Sequence, residues 1–451
     1  MTLTRQAARQ SLATGRAPVA PEVREKVALC LRDFFSCCLA TKGGTAGQKI
    51  AAFSAARPGP PEAYHFGLAY KVSAESAALG NAMLGHSLIR EDMHVNGGSH
   101  AGVVILPALL ALAQRERLPG KALVCGIVAG YQMMAVLGGA VRAGQTNKHF
   151  RPIGITGPFA ACAGAVAATG MDEDAAVHAL GFAANFGGGL NEWPWCGGED
   201  IYVHAGMAAR NALTALDLAR AGLVSSETVL EGADGFLAAY GAGPQAAEVF
   251  ASRLAQANAI LQVRHKPVAG CNFIQTPVAA ALRLRARLEG GATSAISRIT
   301  VTTFTAARDY PGCNYAGAFS SIQQSKMSLQ YGVSAALRFG ELSDAAYSQH
   351  GDAELQRLIA ACDVGVDPAY DAAYPRAQPA RVTVQFADGR VLEQALDDVP
   401  WLDDAGVNAR YVTEARLHAA ADSVAQVDAL LSGLWDLTDL SPLFDALAQW
   451  K

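Results

Sequence analysis

Between Gly85 and His100 the chain carries His86, His94 and His100, the carboxylates Glu91 and Asp92, and the cation Arg90. Imidazole titrates near neutrality, so a histidine of this segment is a candidate general acid or base. Asp92, His94 and His100 also offer a carboxylate and two imidazoles, the ligand types of a metal-dependent lyase. The spacing of the last two histidines matches no compact metal motif. A third reading makes these residues a solvated loop. Gly97-Gly98 lies between His94 and His100, and apolar helical runs flank the segment. A loop this polar is not expected to fill a core, so its groups should face water, a ligand or each other.

Other positions bear chemistry singly. Arg151, in His149-Phe150-Arg151-Pro152-Ile153-Gly154, precedes a proline-led helix start and is a candidate carboxylate clamp. The loop Glu192 to Asp200 holds Trp193, Trp195, Cys196 and two glycines, and leads to His204-Ala205-Gly206 at a helix start. Free N–H groups there suit a carboxylate, while the plainer reading is a surface loop whose tryptophans cover apolar area. Lys266 lies between His265 and Pro267, where the texture of the chain changes. Desolvated, it could bind a carboxylate or act as a base; solvated, it does neither. Tyr331 sits on a helical run and either packs or offers its hydroxyl. His65, His178, His350 and His418 read as structural or surface residues.

The elements that must position these groups are mostly helices. Of 451 residues, 51% are hydrophobic and 17% charged, which fits a globular chain with much buried helix. The net charge is −4 and no basic stripe occurs, so a nucleic-acid partner is not expected. Nine cysteines are scattered without a C-x-x-C pair, and the first 24 residues lack an apolar signal core. Both features suggest a cytoplasmic protein. Apolar periodicity predicts helices over 22–41, 73–88, 101–116, 120–142, 157–169, 172–186 and 204–222. Ser73 is the expected N-cap of the second, and Gly170-Met171-Asp172 separates the fifth from the sixth. The run 120–142 approaches the length of a membrane span but reads as a buried core helix, so no membrane is expected. Beyond 266 come a helix at 272–288, a strand from Ser297 to Phe304, a helix at 321–338, and strands 380–386 and 391–396 about an Asp388-Gly389 turn. Helices return from 411 to 421 and from 424 to 434. The expected fold is mainly α, with a large helical domain from residues 1–265 and 406–451 and an inserted α+β lid at 266–405. Nucleotide-binding, hydrolase-elbow and zincin motifs are missing.

Five short segments, in order, resemble the MmgE/PrpD family of dehydratases, decarboxylases and epimerases of small carboxylic acids. They are His86 to His94 with His100-Ala101-Gly102, His149 to Gly154, Ile201 to Arg210, Lys266 to Ala269, and Met327 to Tyr331. The resemblance implies a helical domain built from both chain ends, a smaller α+β lid, an interdomain cleft and a homodimer. It implies no cofactor and no metal. In this alignment the family's catalytic aspartate falls on Ile89, its threonine on Met93, one lysine on Ile201, one histidine on Arg151 and another near Gln275. The site should therefore be less polar, and its substrate should carry fewer carboxylates or a hydrophobic part. The implied activity is that of a lyase or isomerase that abstracts and returns a proton beside a carboxylate or carbonyl. His100 would be the leading acid/base. Lys266 would bind the carboxylate or stabilise enolate-like charge, and Tyr331 would donate a hydrogen bond or proton. His94 and Asp92 would support proton transfer. Arg151 and Arg90 would bind anions, and His204, Met93, Ile89 and Gln275 would contact substrate. A non-catalytic ligand-binding relative and the metal-dependent lyase are the alternatives.

Overall fold

The computed structural model describes residues 1–142, 148–254, 256 and 258–450. Nine long helices lead the described chain: α1 (Leu3–Arg16), α2 (Pro21–Lys42), α3 (Thr45–Ala55), α4 (Ala74–Ser87), α5 (Gly102–Glu116), α6 (Gly120–Arg142), α7 (Pro152–Thr169), α8 (Glu173–Asn185) and α9 (Asp200–Arg220). Their starts follow local chemistry. Ser73 accepts the Ser76 N–H and starts α4, and the Asp172 carboxylate accepts the Asp174 and Ala175 N–H groups and starts α8. Between α7 and α8, Gly170 takes a left-handed φ of 61°, which closes α7. Helices α6 and α7 are long and apolar enough to cross a bilayer, yet both are buried among the other helices. Close contact between them uses glycine: a Cβ on Gly126 would come within 2.8 Å of the Gly164 carbonyl oxygen.

The α+β part begins with α10 (Gln275–Arg285) and continues through β1 (Ile296–Thr303), α11 (Ile322–Met327), α12 (Leu329–Phe339), β2 (Cys362–Val366), β3 (Ala380–Phe386) and β4 (Val391–Leu396). The strand order is β2-β1-β3-β4, with β2 parallel to β1 and the other pairs antiparallel. Alternate residues of β3 are buried, as expected of a sheet with one covered face, and α10 packs on β3 and β4. Three helices close the chain: α13 (Asp404–Arg416), α14 (Ala421–Ser432) and α15 (Ser441–Ala448). The first of them returns to pack on α2, where Arg410 pairs with buried Asp33 and donates to the Lys266 carbonyl at 2.7 Å.

Several elements differ from the expectation. Helix α1 arises in a stretch for which no element was expected, and it buries Leu3, Ala7, Ala8 and Leu12 on one face. The run 321–338 is two helices, since Ser328 breaks it and its hydroxyl caps α12 by accepting the Tyr331 N–H. Strand β2 and helices α3 and α15 were not anticipated.

Two buried lysines tie the parts together through main-chain carbonyls. Lys266 Nζ donates to the oxygens of Ile89 (2.5 Å) and Gly270 (3.3 Å). Lys326 Nζ donates to the Ser87 oxygen at 3.1 Å and pairs with Asp344 at 2.7 Å.

Candidate active site

The polar loop after α4 is inside the protein. Glu91 and Asp92 are each 1% exposed. This corrects the expectation that such a loop cannot fill a core: Glu91 Oε1 and the Asp92 carboxylate bond within the loop and to its neighbours, which offsets part of the cost of burial. Ile89 turns the chain out of α4 at a left-handed φ of 56°, unusual for a β-branched residue. Met93 and Arg264 exchange two main-chain hydrogen bonds of 2.8 Å. The Asp92 carboxylate accepts the Gly102 N–H at 2.9 Å and the Tyr131 hydroxyl at 2.5 Å, which anchors the start of α5. The tip of the loop lies on α6, where a Cβ on Gly138 would come within 2.2 Å of the Gly97 oxygen.

Beside this loop lies a cavity of about 290 Å³. The helical part supplies Ile89, Met93, Ser99, His100, Phe150 and Arg151; the α+β part supplies Cys271, Phe273, Tyr310, Met327 and Tyr374. Its walls are mostly apolar, and Arg142, Lys148 and Asp309 also line it. Arg142 donates to the Val95 carbonyl at 3.0 Å and to the Tyr374 hydroxyl at 2.9 Å.

A chain of hydrogen bonds runs behind His100. Arg151 Nη2 donates to His86 Nε2 at 2.8 Å. An arginine only donates, so the His86 proton is on Nδ1, which donates to Glu91 Oε1 at 2.7 Å. His100 Nδ1 lies 3.2 Å from the same carboxylate oxygen and 3.0 Å from the Asp92 carbonyl oxygen. Two acceptors assign its proton to Nδ1, leaving the Nε2 lone pair on the opposite edge of a ring that lines the cavity. Burial, aided by the Lys266 charge, pushes the His100 imidazole well below its ordinary value and keeps it neutral. His86 is pushed down for the same first reason, burial. Burial pushes the Glu91 carboxyl up, but His86, Lys266 and His100 more than reverse it and hold it ionised. Arg151 lies over the Trp193 ring at 5.3 Å, and its buried Nε has no hydrogen-bond partner.

Not every expected residue reaches this cavity. His100, Arg151, Ile89 and Met93 line it together. Lys266 lies behind the wall with its ammonium held by two carbonyls. Gln275 braces the neighbouring loop, accepting the Val268 N–H and donating to the Cys271 carbonyl. Tyr331 is fully buried with its hydroxyl shared between the Ala346 and Tyr347 carbonyls, each at 3.0 Å. Arg90 pairs with Glu414 of α13 at 3.2 Å. His94 faces a separate hollow with Gln132 and Arg253, and His204 faces another with Leu190 and Asn211. Asp92, His94 and His100 thus do not converge, and among the described residues no three histidine, cysteine or acidic side chains are placed to hold a metal. The site also contains groups given no role from sequence. His86 and Glu91 were visible in the polar segment, but their pairing with Arg151 exists only once α4 and α7 meet. Arg142, Cys271, Tyr310 and Tyr374 carry no local signal.

Two family descriptions match the chain: the MmgE/PrpD N-terminal domain over residues 10–249 and the MmgE/PrpD C-terminal domain over residues 269–401. Among characterised proteins, cis-aconitate decarboxylase of Aspergillus terreus is 25% identical over 415 residues, covering 86% of this chain and 84% of that protein.

Proposed function

The chain belongs to the MmgE/PrpD family, and from that premise we propose that it is a lyase or isomerase of a small carboxylic acid with His100 as its base. The observation that carries this reading is the pairing of His100 Nδ1 with two acceptors, which leaves Nε2 unprotonated on a ring that lines a cavity together with Arg151. The Arg151 guanidinium would hold the substrate carboxylate, and His100 would take a proton from the adjacent carbon. The charge developing on the substrate is offset by Arg151 and by Arg142 and Lys148 beside it. The imidazolium formed is balanced by Glu91, while burial and Lys266 disfavour it and so favour return of the proton. Lys266 acts as a positioning residue, because it fixes the carbonyl of Ile89 in the cavity wall. The apolar walls, Ile89 and Met93 included, favour a substrate with few carboxylates and a hydrophobic portion. The similarity to a cis-aconitate decarboxylase supports the acid substrate class and leaves the choice among dehydration, decarboxylation and epimerisation to experiment.

The test is exchange of α-protons with deuterated water across a panel of small acids, followed by NMR. The expected result is enzyme-dependent exchange that falls about 100-fold or more in His100→Asn, the scale of a lost general base. Full exchange in that variant would overturn the base assignment. Binding of an acid without any exchange would instead support the non-catalytic relative. We also propose a homodimer, with Leu190, Val203 and Met207 as an exposed apolar patch for the second copy. Sedimentation of a monomer at micromolar concentration would refute it.

A further inference from the structure

Cys271 takes no part in the proton transfer proposed above, yet it stands in the cavity wall. Its sulfur lies 3.8 Å from that of Cys313, which is buried behind it. Either thiol can donate in this contact; burial holds the Cys313 thiol protonated, so a Cys271 thiolate would accept from it. That hydrogen bond, helped by the Phe273 N–H and the charges of Lys266 and Arg151, pushes the Cys271 thiol down to about 7. The same cavity contains Arg151, 5% exposed, with an Nε that has no partner. A candidate nucleophilic sulfur and the Arg151 guanidinium therefore line one small, mostly apolar space.

We propose that Cys271 is a covalent capture site for α,β-unsaturated carboxylic acids. The Cys271 sulfur bonds to the β-carbon of the alkene, and the π electrons move to the α-carbon while Arg151 holds the carboxylate. The α-carbon then takes up a proton, which balances the one lost by the thiol. The net change is addition of S–H across C=C, and no oxidant or other reactant is needed. Elimination beside a carboxylate yields this class of molecule, so the captured species belongs to the product class of a lyase. The proposal rests on the cavity's binding an acid, as inferred above, and does not rest on His100 being the base.

The experiment compares acrylate with acrylamide, electrophiles of matched size of which only the first is charged. The full-length protein is treated with each, and adducts are quantified by peptide mass spectrometry. Cys196, the exposed free cysteine, is the internal reference. The acrylate-to-acrylamide labelling ratio is expected to be at least about tenfold higher at Cys271 than at Cys196, the scale of one charge-assisted hydrogen bond. Arg151→Met should bring the two ratios together, and Cys313→Ala should slow labelling of Cys271 by both reagents. Succinate should protect Cys271 in the unaltered protein and leave Cys196 open. Equal ratios at the two cysteines, or labelling of Cys196 with none at Cys271, would overturn the proposal. A Cys271 preference for acrylate alongside full α-proton exchange in His100→Asn would uphold capture and remove only the base assignment.

Discussion

At the scale of single residues, the buried Glu91 carboxylate governs the site. It faces His86, His100 and the field of Lys266, so its removal strands a cation in the interior. Glu91→Gln is expected to cost about 3–5 kcal/mol in urea unfolding, the range for breaking one side of a buried charge arrangement. Glu91→Gln combined with Lys266→Met should cost less than the sum of the single changes, because the stranded charge is gone. Additivity would mean the two charges do not interact. The pH dependence of exchange also belongs here. A base must be unprotonated, and burial places His100 well below the ordinary imidazole value. Activity should thus persist as the pH falls through 6.5 and be lost only further into acid. An acid limb centred at or above 6.5 would contradict the environment described for His100. The polar segment was legible as a candidate site because three histidines and two carboxylates in so short a span demand partners. Which histidine lines the cavity was less legible, since that depends on Arg151, which precedes α7, and on the Asp92 carbonyl. Lys266 and Tyr331 looked chemical in the sequence, but main-chain carbonyls satisfy both.

At the scale of elements, the seat of the loop on α6 is the tightest constraint. Gly138→Ala would drive a Cβ to 2.2 Å from the Gly97 oxygen, so the loop must shift. The expected loss is about 1–3 kcal/mol of stability, typical of overpacking, with a fall in exchange activity because His100 ends the same loop. A variant with unchanged melting temperature and activity would show that the loop yields without cost. Long helices were readable because caps and periodicity agree, as at Ser73 and Asp172. Strand β2 was not. It is a five-residue edge strand with a central-to-late glycine, and its pairing with β1 depends on a distant segment. Helix α1 was missed for another reason: the stretch is polar on average, although its few apolar residues recur on one face.

For the molecule as a whole, buried neutral imidazoles set the acid limit of stability. Burial pushes His65 and His94 down to about 4. In the unfolded chain both have ordinary values near 6.5, so between those limits the unfolded state binds more protons. Stability should therefore fall as pH drops from 6.5 to 4, by roughly 3 kcal/mol for each such group. Thermal melts over that window provide the measurement, and a flat profile would contradict it. One consequence concerns how a ligand arrives. Lys266 and Lys326 spend their ammonium groups on carbonyls of Ile89 and Ser87, which rivets the α+β part to the helical part. Closing of one part on the other after encounter would have to break these bonds. Stopped-flow binding of an acid should proceed in a single phase, with an observed rate that rises linearly with concentration and does not level off.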